Sequence, residues 1–140
     1  MRLVAKCRAV LTVCLAAIVS GCAIFDSRPP EEIVAERAQE RVELLRAGEY
    51  DAAYAYATPG YRSTETVARY GTRWSGVKMW LSADVTNTRC EYDDEGFTDS
   101  CKAFLEVTYI AAGHGEQTTL LEEPWILIDG RWYLYQRLAE

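Results

Sequence analysis

Five cysteines, one histidine and a short acidic run are the side chains of this 140-residue chain whose types could do chemistry. His114 lies between Gly113 and Gly115, in a predicted turn. A metal site or a nucleophilic triad needs partners that one histidine cannot supply, and none stands at a suitable spacing. An exposed turn residue is expected there. Asp93, Asp94 and Glu95, followed by Gly96 and Asp99, have the carboxylate density of a calcium loop. They lack the alternating ligands and the terminal glutamate that such a loop uses, so a solvated loop is expected. No catalytic residue, cofactor or metal is assigned.

Cys22 is different, because of what precedes it. Arg2, Lys6 and Arg8 form a positive leading region, and residues 9–19 are uncharged. Spanning a bilayer takes about 20 apolar residues, so this run suits an export signal better than an anchor. Val19, Ser20, Gly21 and Cys22 close it. An aliphatic residue and two small ones before cysteine resemble the bacterial lipobox. The resemblance implies cleavage before Cys22, a diacylglyceryl thioether on its sulfur and an acylated amino terminus. One chain binds membranes only marginally, at about 0.8 kcal/mol per buried methylene, whereas three anchor firmly. Ala23 stands where an aspartate would resemble an inner-membrane retention signal. The expected address is therefore the periplasmic face of the outer membrane. The division is a signal peptide over 1–21, a lipidated tether over 22–30 and one domain over 31–140.

The domain inherits a strongly acidic balance. Three of the 15 basic residues fall before Cys22, and all 21 acidic ones follow it. Twelve basic against 21 acidic residues give the mature chain a formal charge of −9. Such a surface repels nucleic acid and anionic headgroups, which excludes nucleic-acid binding and leaves attachment to the lipid. Cys7 and Cys14 leave with the signal, so Cys90 and Cys101 remain. Two thiols in an exported domain are expected to pair; their spacing is too wide for a redox motif. The ring so closed is worth about 3 kcal/mol by chain entropy.

The elements that position these residues follow from periodicity. Residues 23–30 reach at most about 28 Å, with Pro29 and Pro30 stiffening the end of the tether. Pro30 suits a helix start, and Glu31, Glu32 and Glu36 suit its positive end. Val34, Ala38, Val42 and Leu45 recur at helical spacing, with charged residues opposite and Gly48 as the stop. A second helix is predicted over 49–57, ended by Thr58, Pro59 and Gly60, and a third from Ser63 or Thr64 to about Tyr70, ended by Gly71. Beyond Gly76 the period becomes two. Met79, Leu81, Ala83 and Val85 alternate with polar neighbours, as do Cys101, Ala103, Leu105, Val107 and Tyr109. A further strand over 117–128 contains Pro124, which implies a bulge or a free edge. Asp129-Gly130 predicts a tight hairpin to a last strand over 131–138.

Three helices followed by about four antiparallel strands define an α+β layer fold, with a curved sheet around the first helix. Two stretches resemble the nuclear-transport-factor-2-like (cystatin-like cone) superfamily. One is Ala47-Gly48-Glu49-Tyr50-Asp51-Ala52-Ala53-Tyr54; the other is residues 123–133, from Glu123-Pro124-Trp125 to Arg131-Trp132-Tyr133. The resemblance covers residues 31–138 in element order and implies a cone, shallower or more open because the early strand pair of larger members is missing. It admits an isomerase or dehydratase using a tyrosine and a carboxylate. Candidates are Tyr54, Tyr61, Tyr70 or Tyr109, with Asp84 or Glu106 as base. Both carboxylates sit on the polar side of their strands, so a non-catalytic binding or interaction domain is the leading expectation. A structural accessory of an envelope assembly is the third reading. Trp80, Trp125, Trp132, Tyr133 and Tyr135 populate both sheet faces, and those facing outward could serve a homodimer or an envelope partner.

Overall fold

A computed structural model describes residues 27–138, so the signal, Cys22 and most of the tether lie outside the described residues. Helix α1 spans Pro30–Ala47, with Pro30 at its start and Glu31 and Glu32 in the first turn. Gly48 ends it in the left-handed conformation (φ 78°), and Glu49 N–H returns to the Leu44 carbonyl at 2.9 Å. Three short helices follow: α2 (Tyr50–Tyr54), α3 (Pro59–Thr64) and α4 (Val67–Arg73), then a 3₁₀ turn over Ser75–Met79. The sheet is β1 (Trp80–Glu91), β2 (Ser100–Ala111), β3 (Gly115–Ile128) and β4 (Arg131–Leu134), antiparallel throughout and ordered β1-β2-β3-β4.

The α+β class expected from the sequence is the one found, with one more helix than expected. Thr58 and Pro59 start α3 rather than end α2: the Thr58 hydroxyl accepts the Tyr61 N–H, and Pro59 takes the position where no donor is needed. Thr66, not Ser63 or Thr64, caps α4. Gly71 lies inside α4 instead of ending it, with the Tyr50 ring packed 3.4 Å from where a Cβ would stand.

Packing explains the layers. Val34, Ala38 and Val42 of α1 meet Ala83, Ala103, Leu105, Val107, Trp125 and Trp132 in one core. Leu45 joins Ala53, Ala57, Tyr61, Tyr70 and Val77 in a second core under the short helices. Register breaks near Leu81 and Thr86 bulge β1, which bends the strand along α1 and turns Met79 and Leu81 outward, off the face of Ala83. Gln39 completes that strand's edge by accepting from Val85 N–H (2.9 Å) and donating to the Ala83 carbonyl (3.3 Å). Arg46 donates to the Leu81 carbonyl at 2.9 Å.

Pro124 stays in register opposite Lys102, without a bulge. Its carbonyl accepts from Tyr135 just past the end of β4, so its missing donor faces the chain leaving β4, at the end of the ladder, rather than the free edge expected. Asp129 (φ 50°) and Gly130 (φ 76°) form the expected tight turn. Cys90 faces Cys101 directly across β1 and β2 at bonding distance, closing the base of the acidic loop.

Candidate functional site

The interior holds a polar cluster between the two cores. Arg41 of α1 is fully buried, and its Nη1 donates to Glu123 Oε1 of β3 at 2.5 Å. Arg41 Nε donates to the Tyr70 hydroxyl at 3.1 Å, and the guanidinium lies 4.5 Å from the centre of the Trp74 ring. Ala103 stands opposite Glu123 in the ladder and gives the carboxylate room. Burial raises the Glu123 pKa above its ordinary value; Arg41, and the Trp125 indole to a lesser degree, oppose that shift. The indole N–H does so without closing to a well-formed hydrogen bond. Burial likewise raises the Tyr70 phenol, which stays neutral.

A charged carboxylate inside a protein is tolerated when a cation and hydrogen bonds compensate its lost hydration. Here one Glu123 oxygen is bound by Arg41, and the side chains around it, Trp125 among them, are closely packed. A general base must reach a substrate proton directly or through one water. Glu123, only 6% exposed, has no such approach.

The second site is an open cleft of about 590 Å³ at the amino-terminal end of α1. The acidic loop and the β3–β4 turn form its other walls, with Ile33, Phe97, Leu127 and Trp132 supplying apolar surface. The Tyr92 hydroxyl bonds both Glu31 oxygens at 2.9 Å and so ties the loop to the helix. Asp93 shapes the loop: its Oδ1 accepts the N–H groups of Glu95 (3.0 Å) and Phe97 (2.8 Å). That carboxylate is committed to the backbone of the loop.

Arg37 stands in the wall of this cleft. Its Nε donates to the Trp132 carbonyl at 2.9 Å, and its guanidinium lies 4.7 Å from the Tyr56 ring centre. Its Nη2 is buried without a hydrogen-bond partner. Burial, and next the charge of Arg131, lower the Arg37 pKa from its ordinary value. Arg28 also lines the cleft and pairs with Glu36 at 2.7 Å.

Of the tyrosines singled out in the sequence, the structure brings Tyr70 to a carboxylate, through Arg41, and the carboxylate is Glu123. Asp84 and Glu106 are exposed and directly opposite each other on the outer sheet face. Tyr54 donates to the Arg62 and Glu65 carbonyls, and Tyr61 packs in the second core. Tyr109 packs against the first core, and His114 is an exposed turn residue. Trp125 and Trp132 are buried under α1, Trp80 packs on both cores, and Tyr135 is exposed.

Arg41 and Glu123 were not among the sequence candidates, and the expectation that the charged residues of α1 lie opposite its apolar stripe fails at Arg41. Both carried a signal. Arg41 falls between Ala38 and Leu45 in the stripe, and Glu123 shares the phase of Leu121, Trp125 and Leu127.

No protein-family model matches the chain, and no curated protein matches it. Among solved structures, the chain is similar to a SEC-C motif-containing protein from Psychrobacter arcticus, at 6% identity and a TM-score of 0.61. That likeness covers 83% of this chain and 66% of the other, just under two-thirds of its length. A SEC-C motif-containing protein from Rhodopseudomonas palustris is 14% identical over 71% of this chain and 73% of its own, with a TM-score of 0.47. A Campylobacter jejuni protein described as an NTF2-like transpeptidase is 12% identical over 73% of this chain and 96% of its own, with a TM-score of 0.46. The first of these shows a shared fold. Fold and sites together define an α+β domain of helices on an open antiparallel sheet, filled inside and cleft at one end.

Proposed function

We propose that this chain is a lipid-anchored envelope protein, held through Cys22 at the periplasmic face of the outer membrane, whose domain binds rather than catalyses. The observation that carries the non-catalytic part is the engagement of Glu123 with Arg41 in a packed interior, away from any approach for substrate. Mass spectrometry of membrane-extracted protein tests the anchor: an amino terminus at an acylated Cys22 is expected, and any other terminus or a free thiol there overturns it. The α1 start at Pro30 supports a short tether, since only seven residues separate it from Cys22.

One observation favours the enzyme-type alternative. Tyr70 and a carboxylate are brought together inside the fold, though through Arg41 rather than in contact, the residue types an isomerase or dehydratase of this architecture would require. Incubation with an enolisable ketone in D₂O separates the readings. No protein-dependent exchange at the carbon beside the carbonyl is expected; exchange that disappears in Glu123→Gln would establish the enzyme. The outward-facing aromatics are weaker support for a sheet-to-sheet partner. Tyr133 shares its face with Phe104, Leu120 and Ile126 but also with Asp84, Glu106, Lys102 and Arg89, a mixed surface rather than an apolar one.

A further inference from the structure

We infer that the cleft at the amino-terminal end of α1 binds a small organic anion, one carboxylate or phosphate carried on an apolar body, with Arg37 and Arg131 holding the charge. The inference deepens the binding-domain reading and rests on it.

Charge is the first argument. The mature chain is acidic by nine charges, yet this cleft gathers three arginines against one lining carboxylate, Asp129. Arg28 is paired with Glu36. Among the described residues, neither Arg37 nor Arg131 has a carboxylate within ion-pair distance. Two guanidinium groups in each other's field raise the free energy of the empty site, and an anion between them lowers it.

Geometry is the second. Arg37 is fixed rather than free: the Trp132 carbonyl holds its Nε and the Tyr56 ring lies against its plane. A guanidinium ordered in this way loses little entropy on binding. Its Nη2 is buried with no acceptor, so the guanidinium keeps an unmet donor beside the cleft. Arg131 is exposed on the rim, where it can close over the same anion.

Shape and surface are the third. About 590 Å³ suits a small organic molecule. Ile33, Phe97, Leu127 and Trp132 would take an apolar body, and Phe97 is 57% exposed at the mouth. Inorganic phosphate would use the arginines and leave that surface wet.

The test uses the full mature protein in phosphatidylcholine nanodiscs, titrated with 1-naphthyl phosphate and followed by amide NMR. Saturable binding is expected, with shifts confined to the amides of residues 92–99 and 127–132. Inorganic phosphate and 1-naphthol should each bind at least tenfold more weakly. Arg131→Gln, which alters only an exposed side chain, should weaken naphthyl phosphate about tenfold, and Arg37→Gln by as much or more. Arg69→Gln, on exposed α4, should change nothing. Adding phosphatidylglycerol to the nanodiscs separates two sources of the anion: competition assigns a lipid headgroup, and its absence a soluble ligand. Equal binding of naphthol and naphthyl phosphate, no binding at all, or an unaffected Arg131→Gln protein would overturn the inference. None of those results would produce ketone exchange, which is what overturns the broader non-catalytic reading.

Discussion

Arg37 and Arg41 stand one turn apart on the same helix, and their surroundings give them opposite roles. Arg41 is enclosed, bonded to Glu123 and Tyr70 and stacked on Trp74. Arg37 opens onto a cleft, bonded to one main-chain carbonyl and stacked on Tyr56. Both guanidinium groups lie on an aromatic ring; only one has a carboxylate. The partner makes the difference: a compensated charge can be sealed inside, whereas an uncompensated one keeps access to solvent and to ligands.

The largest expected effect breaks this comparison at the buried end. Arg41→Met strands the Glu123 carboxylate and should cost about 3–5 kcal/mol in urea unfolding. Arg41→Met/Glu123→Leu should recover most of that loss, since an apolar pair of similar volume replaces the ion pair. Arg37→Met removes one hydrogen bond at a half-buried site with no carboxylate left stranded and should cost about 1 kcal/mol. Equal costs for the two single variants would erase the distinction drawn between them.

Removing the Cys90–Cys101 link sharpens the comparison spatially. Cys90→Ser/Cys101→Ser should lower stability by about 3 kcal/mol. Hydrogen exchange should accelerate most in residues 92–99, the wall of the Arg37 cleft, and least around Arg41.

A smaller effect comes from pH. Because the folded-state pKa of Glu123 is raised, the native state binds its proton more tightly than the unfolded chain does. Its contribution to stability is therefore complete below the unfolded carboxylate value of about 4.3 and is lost as pH rises through the folded value. The stability of the wild type relative to Arg41→Met/Glu123→Leu should fall across that window. A flat difference between the two curves would remove Glu123 as the titrating group. The smallest effect belongs to the short helices, where Thr58→Ala and Thr66→Ala should each cost about 1 kcal/mol as lost caps, with both arginine sites intact.

Much of the frame was legible because it is written in local chemistry. Gly48, Asp129-Gly130, and the apolar phase of Leu105 and Val107 all act through their neighbours in sequence. The ion pair was not legible, because its two members are 82 residues apart and each looks like a solvated charge alone. Reading phase before polarity would have flagged Glu123 among Leu121, Trp125 and Leu127. Thr58-Pro59 is ambiguous for a related reason: such a pair can stop one helix or begin another, and the backbone between Tyr56 and Thr58 decides by bonding to Leu134.

The side chains of Gln39 and Arg46 also limit how this protein can assemble. They occupy outward backbone groups of Leu81, Ala83 and Val85, so α1 seals the first half of β1. On the far side, β4 covers β3 only over residues 125–128 and leaves its first half without a neighbour. A strand donated to residues 115–122 finds a template there, while residues 81–85 on the opposite edge, already bonded to α1, offer none from which to continue. Strand exchange through these two halves of the sheet is thus self-terminating and ends as a pair rather than a filament.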